Sequence, residues 1–319
     1  MPLSNTTAFR PLYQASLMLS LCWLAACGDS NLPDSIAGPA PTEPALVEYR
    51  LDSEVVNESS GLARSQRRDD VLWTLNDSGG ATELYAVSTD GKLLATLSIQ
   101  GALLNLDWED LASYTQGGKP YLLIGDMGDN SAFRPVLNFY RVEEPELTPG
   151  ATPQALSATA TVYTVAYPNG PRDAESLAVD GEENMAYVLS KRDAEPTLYR
   201  FPLASPLPIA LPAIMENLGA INIPRAPADY AGNVESYNWT TAMDFDDSLS
   251  RAYVGSLVNG YFWDRAEGES WAEAFARPPR GFDLPDYSQI EAGSFALGRR
   301  DSLYISSESV PMPLARLRP

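Results

Sequence analysis

Acidic side chains recur at the edges of short apolar runs in this chain. Residues 107–112 read D-W-E-D-L-A, and residues 173–180 read D-A-E-S-L-A-V-D. Like charges this close repel unless they are solvated, protonated or held by a cation. Glu58, Glu109, Glu175 and Glu291 lead four such stretches, and Thr241 leads a fifth. A second set closes the apolar runs that follow: Asn76, Asp77, Asp126, Asp129, Asn130, Asp193, Asn259 and Glu308. Carboxylate and amide oxygens without a softer donor suit a hard cation, Ca²⁺ best. Glu58, Glu109, Glu175, Glu291, Asn76, Asp129, Asn130 and Asp193 are therefore the candidate metal ligands. Asp77 and Asp126 are the candidate bases should a bound metal polarise a substrate. A structural role competes with this reading, because such glutamates also cap turns and accept backbone N–H groups.

What is missing narrows the chemistry. The 319 residues contain no histidine, which removes Ser-His-Asp and Cys-His catalysis and His-ligated zinc. Ser78 in N-D-S-G-G (76–80) thus has no histidine base, and that stretch reads as a turn. G-D-M-G-D-N (125–130) looks like a calcium loop but lacks the full EF-hand ligand set. The net charge of −20 argues against binding nucleic acid through its phosphates and favours a surface that attracts cations. Lys191 and Arg192 are the main cations near the acidic set, with Arg134 beside them, and ion pairs are their simplest use.

Strands must position these groups. V-L-W-T-L, Y-L-L-I, A-Y-V-L-S, A-Y-V-G-S and L-Y-I-S-S are short β-branched and aromatic runs bounded by turn residues. They belong to a repeat whose heads lie about 50 to 66 residues apart, room for four short antiparallel strands per unit. The fold class expected is all-β, a propeller with five visible blades over residues 46–319. The two longer intervals leave room for a sixth, and a pair of β-sandwiches is the competing architecture. The last copy stops after three strands, and L-V-E-Y-R-L (46–51) is placed to supply its fourth. In a blade, the start of the innermost strand and the end of the second emerge at the same mouth. Both acidic sets should therefore face one funnel, with Trp108 packed between blades. Trp73, Trp239, Trp263, Tyr121 and Tyr253 are expected in the same inter-blade core.

The front of the chain reads as an address. Residues 12–24 form an apolar stretch after Arg10, too short for an ordinary membrane span, and L-A-A-C follows at 24–27. That ending resembles the bacterial lipobox, which implies a signal peptide over 1–26 and lipid on Cys27. Residues 27–45 are polar and proline-rich, a flexible tether. The implied location is the bacterial envelope, at the outer membrane and facing the periplasm. The two cysteines, Cys22 and Cys27, both lie in this segment, so the body has no disulfide framework.

W-T-L-N-D-S-G, D-W-E-D-L-A, G-D-M-G-D-N, D-A-E-S-L-A-V-D and E-A-G-S-F-A…L-Y-I-S-S-E-S, in this order, resemble a group of bacterial secreted propeller proteins of poorly defined function. More remotely, the chain is similar to gluconolactonase-like and phytase-esterase-like calcium propellers, where central Glu, Asn and Asp residues hold calcium. Glu58 matches their first-strand glutamate, while Asn130 and Asp193 match other ligand positions more loosely. Thr241 and Met243 depart from that pattern. The resemblance implies either an acidic, calcium-binding funnel that takes a small ligand or an envelope protein, or a calcium-dependent hydrolase of a lactone or phosphoester. A protein-interaction scaffold with structural carboxylates is the third reading.

Overall fold

The computed structural model describes residues 46–150, 153–204 and 211–319. The leader, Cys27 and the tether lie outside the described residues. Five separate sheets make up the body, each built on antiparallel neighbours, and together they form a five-bladed β-propeller. The inner strands are Ser59–Arg64, Trp108–Gln116, Ala174–Asp180, Thr240–Phe245 and Ala292–Ala296, in blades 1 to 5. Apart from the last two residues of Trp108–Gln116 they are buried throughout, because each packs against neighbouring blades on both sides. The second strands, from Val71–Asn76 in blade 1 to Arg299–Ser306 in blade 5, return to the same mouth.

Blade 5 takes its outer strand from the start of the domain. Val47–Arg50 pairs antiparallel with Pro313–Leu317, with Val47 opposite Arg316, so the expected ring closure is observed. Among the described residues the long intervals hold no sixth blade. After the third strand of blade 2 the chain leaves to lay Gln154–Thr159 parallel to Leu93–Gln100 on blade 1, then returns as Thr161–Ala166. After the third strand of blade 3, Ala213–Ile214 pairs in parallel with Thr161–Ala166 of blade 2 in the same way. The rest of the second interval carries Glu216–Ala220 and a short helix, Val234–Asn238, capped by Asn233.

The core lies between blades, one apolar cluster per interface. Trp73, Trp108 and Ile124 fill the first; Phe139, Leu177 and Phe201 the second; Tyr187, Phe245 and Trp263 the third. In the third, Trp271 from the short helix Trp271–Phe275 stacks on Phe245 at 3.8 Å. Tyr253 and Phe295 lie between blades 4 and 5, and Leu62 and Tyr304 between blades 5 and 1. Among the described residues no helix is long and apolar enough to cross a membrane.

With five blades the inner strands crowd the axis. A Cβ on Gly61 would come within 2.8 Å of the Leu111 nitrogen, so blades 1 and 2 meet there at backbone contact. Inner-strand edges leave N–H groups unpaired towards the axis, and these need acceptors. Asp110 supplies one: its carboxylate accepts from Leu177 N at 2.7 Å and Met243 N at 3.4 Å, joining blades 2, 3 and 4. Below it Arg64 donates to Asp244 at 2.6 Å and to the Phe245 carbonyl at 2.9 Å, joining blades 1 and 4. Asp244 also accepts from Ser294 Oγ and Phe295 N of blade 5, both at 2.9 Å.

Candidate functional site

Bulges at the heads of the inner strands aim the acidic side chains. In blade 2 Trp108 pairs with Asp126 and Asp110 with Gly125, leaving Glu109 as the extra residue. Glu175 and Thr241 are the extra residues of blades 3 and 4, and Ser60 is that of blade 1. Glu58 and Glu291 lie one step earlier, each just before the first paired residue, in line with Asp107 and Asp173. The four glutamates therefore do not form a single repeat position. They form two tiers, with Glu109 and Glu175 on one and Glu58 and Glu291 on the other.

Three carboxylates converge. Asp77, from the end of the second strand of blade 1, and Asp107 and Glu109, from the head of blade 2, offer oxygens within 4.8 Å of one another. Asn105 holds the two blades in place. Its amide donates to the Asp77 carbonyl at 2.7 Å and the Asn76 carbonyl at 3.1 Å, and its oxygen accepts from Trp108 N at 3.1 Å. Gly128 completes the cradle. A Cβ there would lie 2.6 Å from Asp107 Oδ2 and closer still to Glu109 Oε1, so only glycine leaves both carboxylates their places.

The rest of the mouth is knitted by ion pairs. Lys191, buried, is bonded to Glu175, stands 3.7 Å from Glu291 Oε1, and lies against the face of Trp239. Arg192 stacks on the same indole at 4.0 Å and pairs with Asp173 at 2.6 Å. Trp239 is thus a wall of the mouth, not the inter-blade filler expected of it. Asp126 is fully buried against Arg134 at 2.7 Å, and Asp193 pairs with Arg172 at 2.6 Å. Asp129 accepts from the backbone of Phe133 and Arg134, while Asn130 meets Arg192. Asn76 accepts from Asn57 N at 3.0 Å and donates to the Val55 carbonyl at 2.8 Å. Glu58 is exposed at the rim, where its carbonyl accepts from Asp77 N.

Of the eight candidate ligands, the structure brings Glu109 into the trio. It joins Glu109 to Asp77, the candidate base, and to Asp107, which shared the funnel but not the ligand set. Asn105 carried no signal, and Gly128 was visible only as part of the calcium-loop-like G-D-M-G-D-N. The D-x-E spacing of 107–109, one residue on either side of a core tryptophan, was the available signal for Asp107.

Burial dominates the electrostatics. It pushes Asp107 up to about 6, with Asp77 adding to the effect. Burial also raises Asp77, and raises Glu109 further, where Glu175 adds to it. Burial, with Glu291 adding, outweighs Lys191 and carries Glu175 to about 8. Burial and hydrogen-bonded Glu291 bring Glu308 to about 9. Burial thus makes these carboxylates hold their protons more tightly than free ones, and an incoming cation would compete with those protons.

Fold and mouth together define a five-bladed propeller with an acidic opening at one end of its axis. No protein-family model and no curated protein matches the chain. Among solved structures it is similar to Raptor of Chaetomium thermophilum, at 9% identity and a TM-score of 0.39. That match covers 81% of this chain but 20% of Raptor, so the chain spans about a fifth of that protein's length.

Proposed function

We propose that this chain is an envelope propeller, anchored by lipid at Cys27, whose mouth holds Ca²⁺ on Asp77, Asp107 and Glu109 and binds a small ligand or partner there. The observation that carries the reading is the convergence of those three carboxylates within 4.8 Å on a floor that only glycine permits. Three carboxylates supply up to six hard oxygens, enough for much of a Ca²⁺ shell at about 2.3–2.6 Å. Lys191 is engaged by Glu175 and reaches Glu291 at 3.7 Å, whereas among the described residues no salt bridge joins Asp77, Asp107 or Glu109 to a cation.

The test is the thermal melt of the full chain with about 1 mM Ca²⁺ or with EDTA. A site with Kd near 10 μM gains roughly 2.7 kcal/mol at about 100-fold excess, a rise of several degrees. Asp107→Asn and Glu109→Gln should each abolish the rise, whereas Glu58→Gln should leave it. Equal melts in Ca²⁺ and EDTA would make the trio structural. Hydrolysis of a lactone or phosphoester is the second reading. It is favoured by the place of Asp77 within the trio, where a metal-polarised group and a carboxylate base would stand together.

A further inference from the structure

Two loops rise beside the mouth. Residues 101–106 join the last strand of blade 1 to the inner strand of blade 2, and expose Leu103, Leu104 and Leu106 at 91%, 62% and 54%. Residues 129–136 follow the second strand of blade 2 and expose Phe133 at 73%, with Val136 beyond it. Leu106 and Phe133 wall one cavity of about 300 Å³, whose lining also includes Asp107 and Asp129. Since Asp107 belongs to the carboxylate trio, the apolar wall and the acidic mouth are one continuous surface.

Single exposed leucines are ordinary; apolar side chains gathered on adjoining loops and rimmed by polar groups mark a docking surface. The second loop is also held in place. Phe133 N and Arg134 N donate to the Asp129 carboxylate at 3.0 and 2.7 Å, so the backbone is fixed while the phenyl ring is turned outward.

Charge selects the occupant. Carboxylates outnumber cations at the mouth, and the cations described there are engaged: Lys191 by Glu175, Arg192 by Asp173, Arg134 by Asp126 and Arg172 by Asp193. An anionic lipid surface or an acidic partner would meet like charge. The geometry points to a protein partner that presents a lysine or arginine among apolar side chains: the cation enters the acidic mouth and its neighbours cover Leu106 and Phe133. This rests on the mouth being a binding face and supplies the chemistry of its partner; it does not require the metal.

The test uses the full chain and three fluorescein-labelled peptides in which leucine alternates with lysine, glutamine or glutamate, read by anisotropy. The lysine peptide should bind at least tenfold tighter than the glutamine peptide and weaken as salt rises. Leu106→Ser combined with Phe133→Ser should weaken it at least tenfold, with the melting temperature and the Ca²⁺ titration unchanged. Equal binding of all three peptides, wild-type affinity in the double variant, or no binding up to about 1 mM would each overturn the proposal. Neutral phosphatidylcholine vesicles bound by the wild type and released by the double variant would assign the patch to lipid instead. If the chain ignores Ca²⁺ yet binds the lysine peptide, the metal reading fails and this one stands.

Discussion

Gly128→Ala tests the cradle without removing a single ligand. The new methyl group would lie 2.6 Å from Asp107 Oδ2 and nearer to Glu109 Oε1, roughly 1 Å inside ordinary van der Waals distance. Gly128 is not in the left-handed region, so the substitution carries no backbone penalty and acts through crowding alone. Both carboxylates must retreat. A retreat of about 1 Å takes an oxygen out of the 2.3–2.6 Å range that Ca²⁺ accepts. Losing one ligand in this way should weaken Ca²⁺ at least tenfold, about 1.4 kcal/mol. Overpacking costs about 1–3 kcal/mol on its own, offset in part because two repelling carboxylates are driven apart. The variant should therefore melt within a few degrees of the wild type in EDTA and lose most of the rise produced by Ca²⁺. Isothermal titration gives the affinity and a melt gives the fold. Wild-type Ca²⁺ affinity in Gly128→Ala would refute the convergence of Asp107 and Glu109 on that backbone.

The buried Arg64–Asp244 pair gives a stability prediction. Arg64→Met strands a buried carboxylate, at a cost of about 3–5 kcal/mol or a fall of roughly 10 °C, and adding Asp244→Asn should recover part of it; a melt within 2 °C of wild type would contradict the role of the pair. For pH, the folded state holds Glu175 to about 8 and Glu308 to about 9, above their unfolded values. The folded state thus binds more protons between pH 4.5 and 9, and stability should fall as pH rises through that window. Melts of Glu175→Gln and Glu308→Gln at pH 5, 7 and 9 should show a flatter decline. Asn105→Ala removes the brace between Asp77 and Trp108; it should cost about 1–3 kcal/mol by urea titration and weaken Ca²⁺ as well.

Much of the architecture could be read from residues because a propeller repeats itself. The alternating runs marked the strands, and the incomplete last copy made 46–51 the closing strand, as its pairing with Pro313–Leu317 bears out. The excursions were not legible. Q-A-L-S-A-T carries no sign that it will pair with blade 1 rather than with the blade it has just left, since partner choice is set by what lies beside it in space. The site was legible as a mouth but not as a ligand set. A bulge adds a residue without changing the pattern of residue types, so aligning Glu58 with Glu109 looked sound although they sit on different tiers. Anchoring on the shared L-A of 62–63 and 111–112 instead aligns Ser60 with Glu109, the register observed. Nor does composition show which carboxylates are already paired. Asp126 and Asp193 differ from Asp107 because Arg134 and Arg172 reach them, which depends on loop shape.

The strand Val47–Arg50 also sets the order of assembly. Its partner ends at Leu317, so the sheet it completes joins almost the two extremes of the domain. Blades 1 to 4 can form from strands that arrive in sequence, and the parallel excursions tie 1 to 2 and 2 to 3 as the chain grows. The fifth cannot be finished, nor the ring drawn tight, until Pro313–Leu317 meets Val47–Arg50. Contacts of such long sequence separation are slow to form, and until this one does, an unpaired strand edge stays open to other chains. Pairing of Pro313–Leu317 with Val47–Arg50 is thus the step that commits the ring.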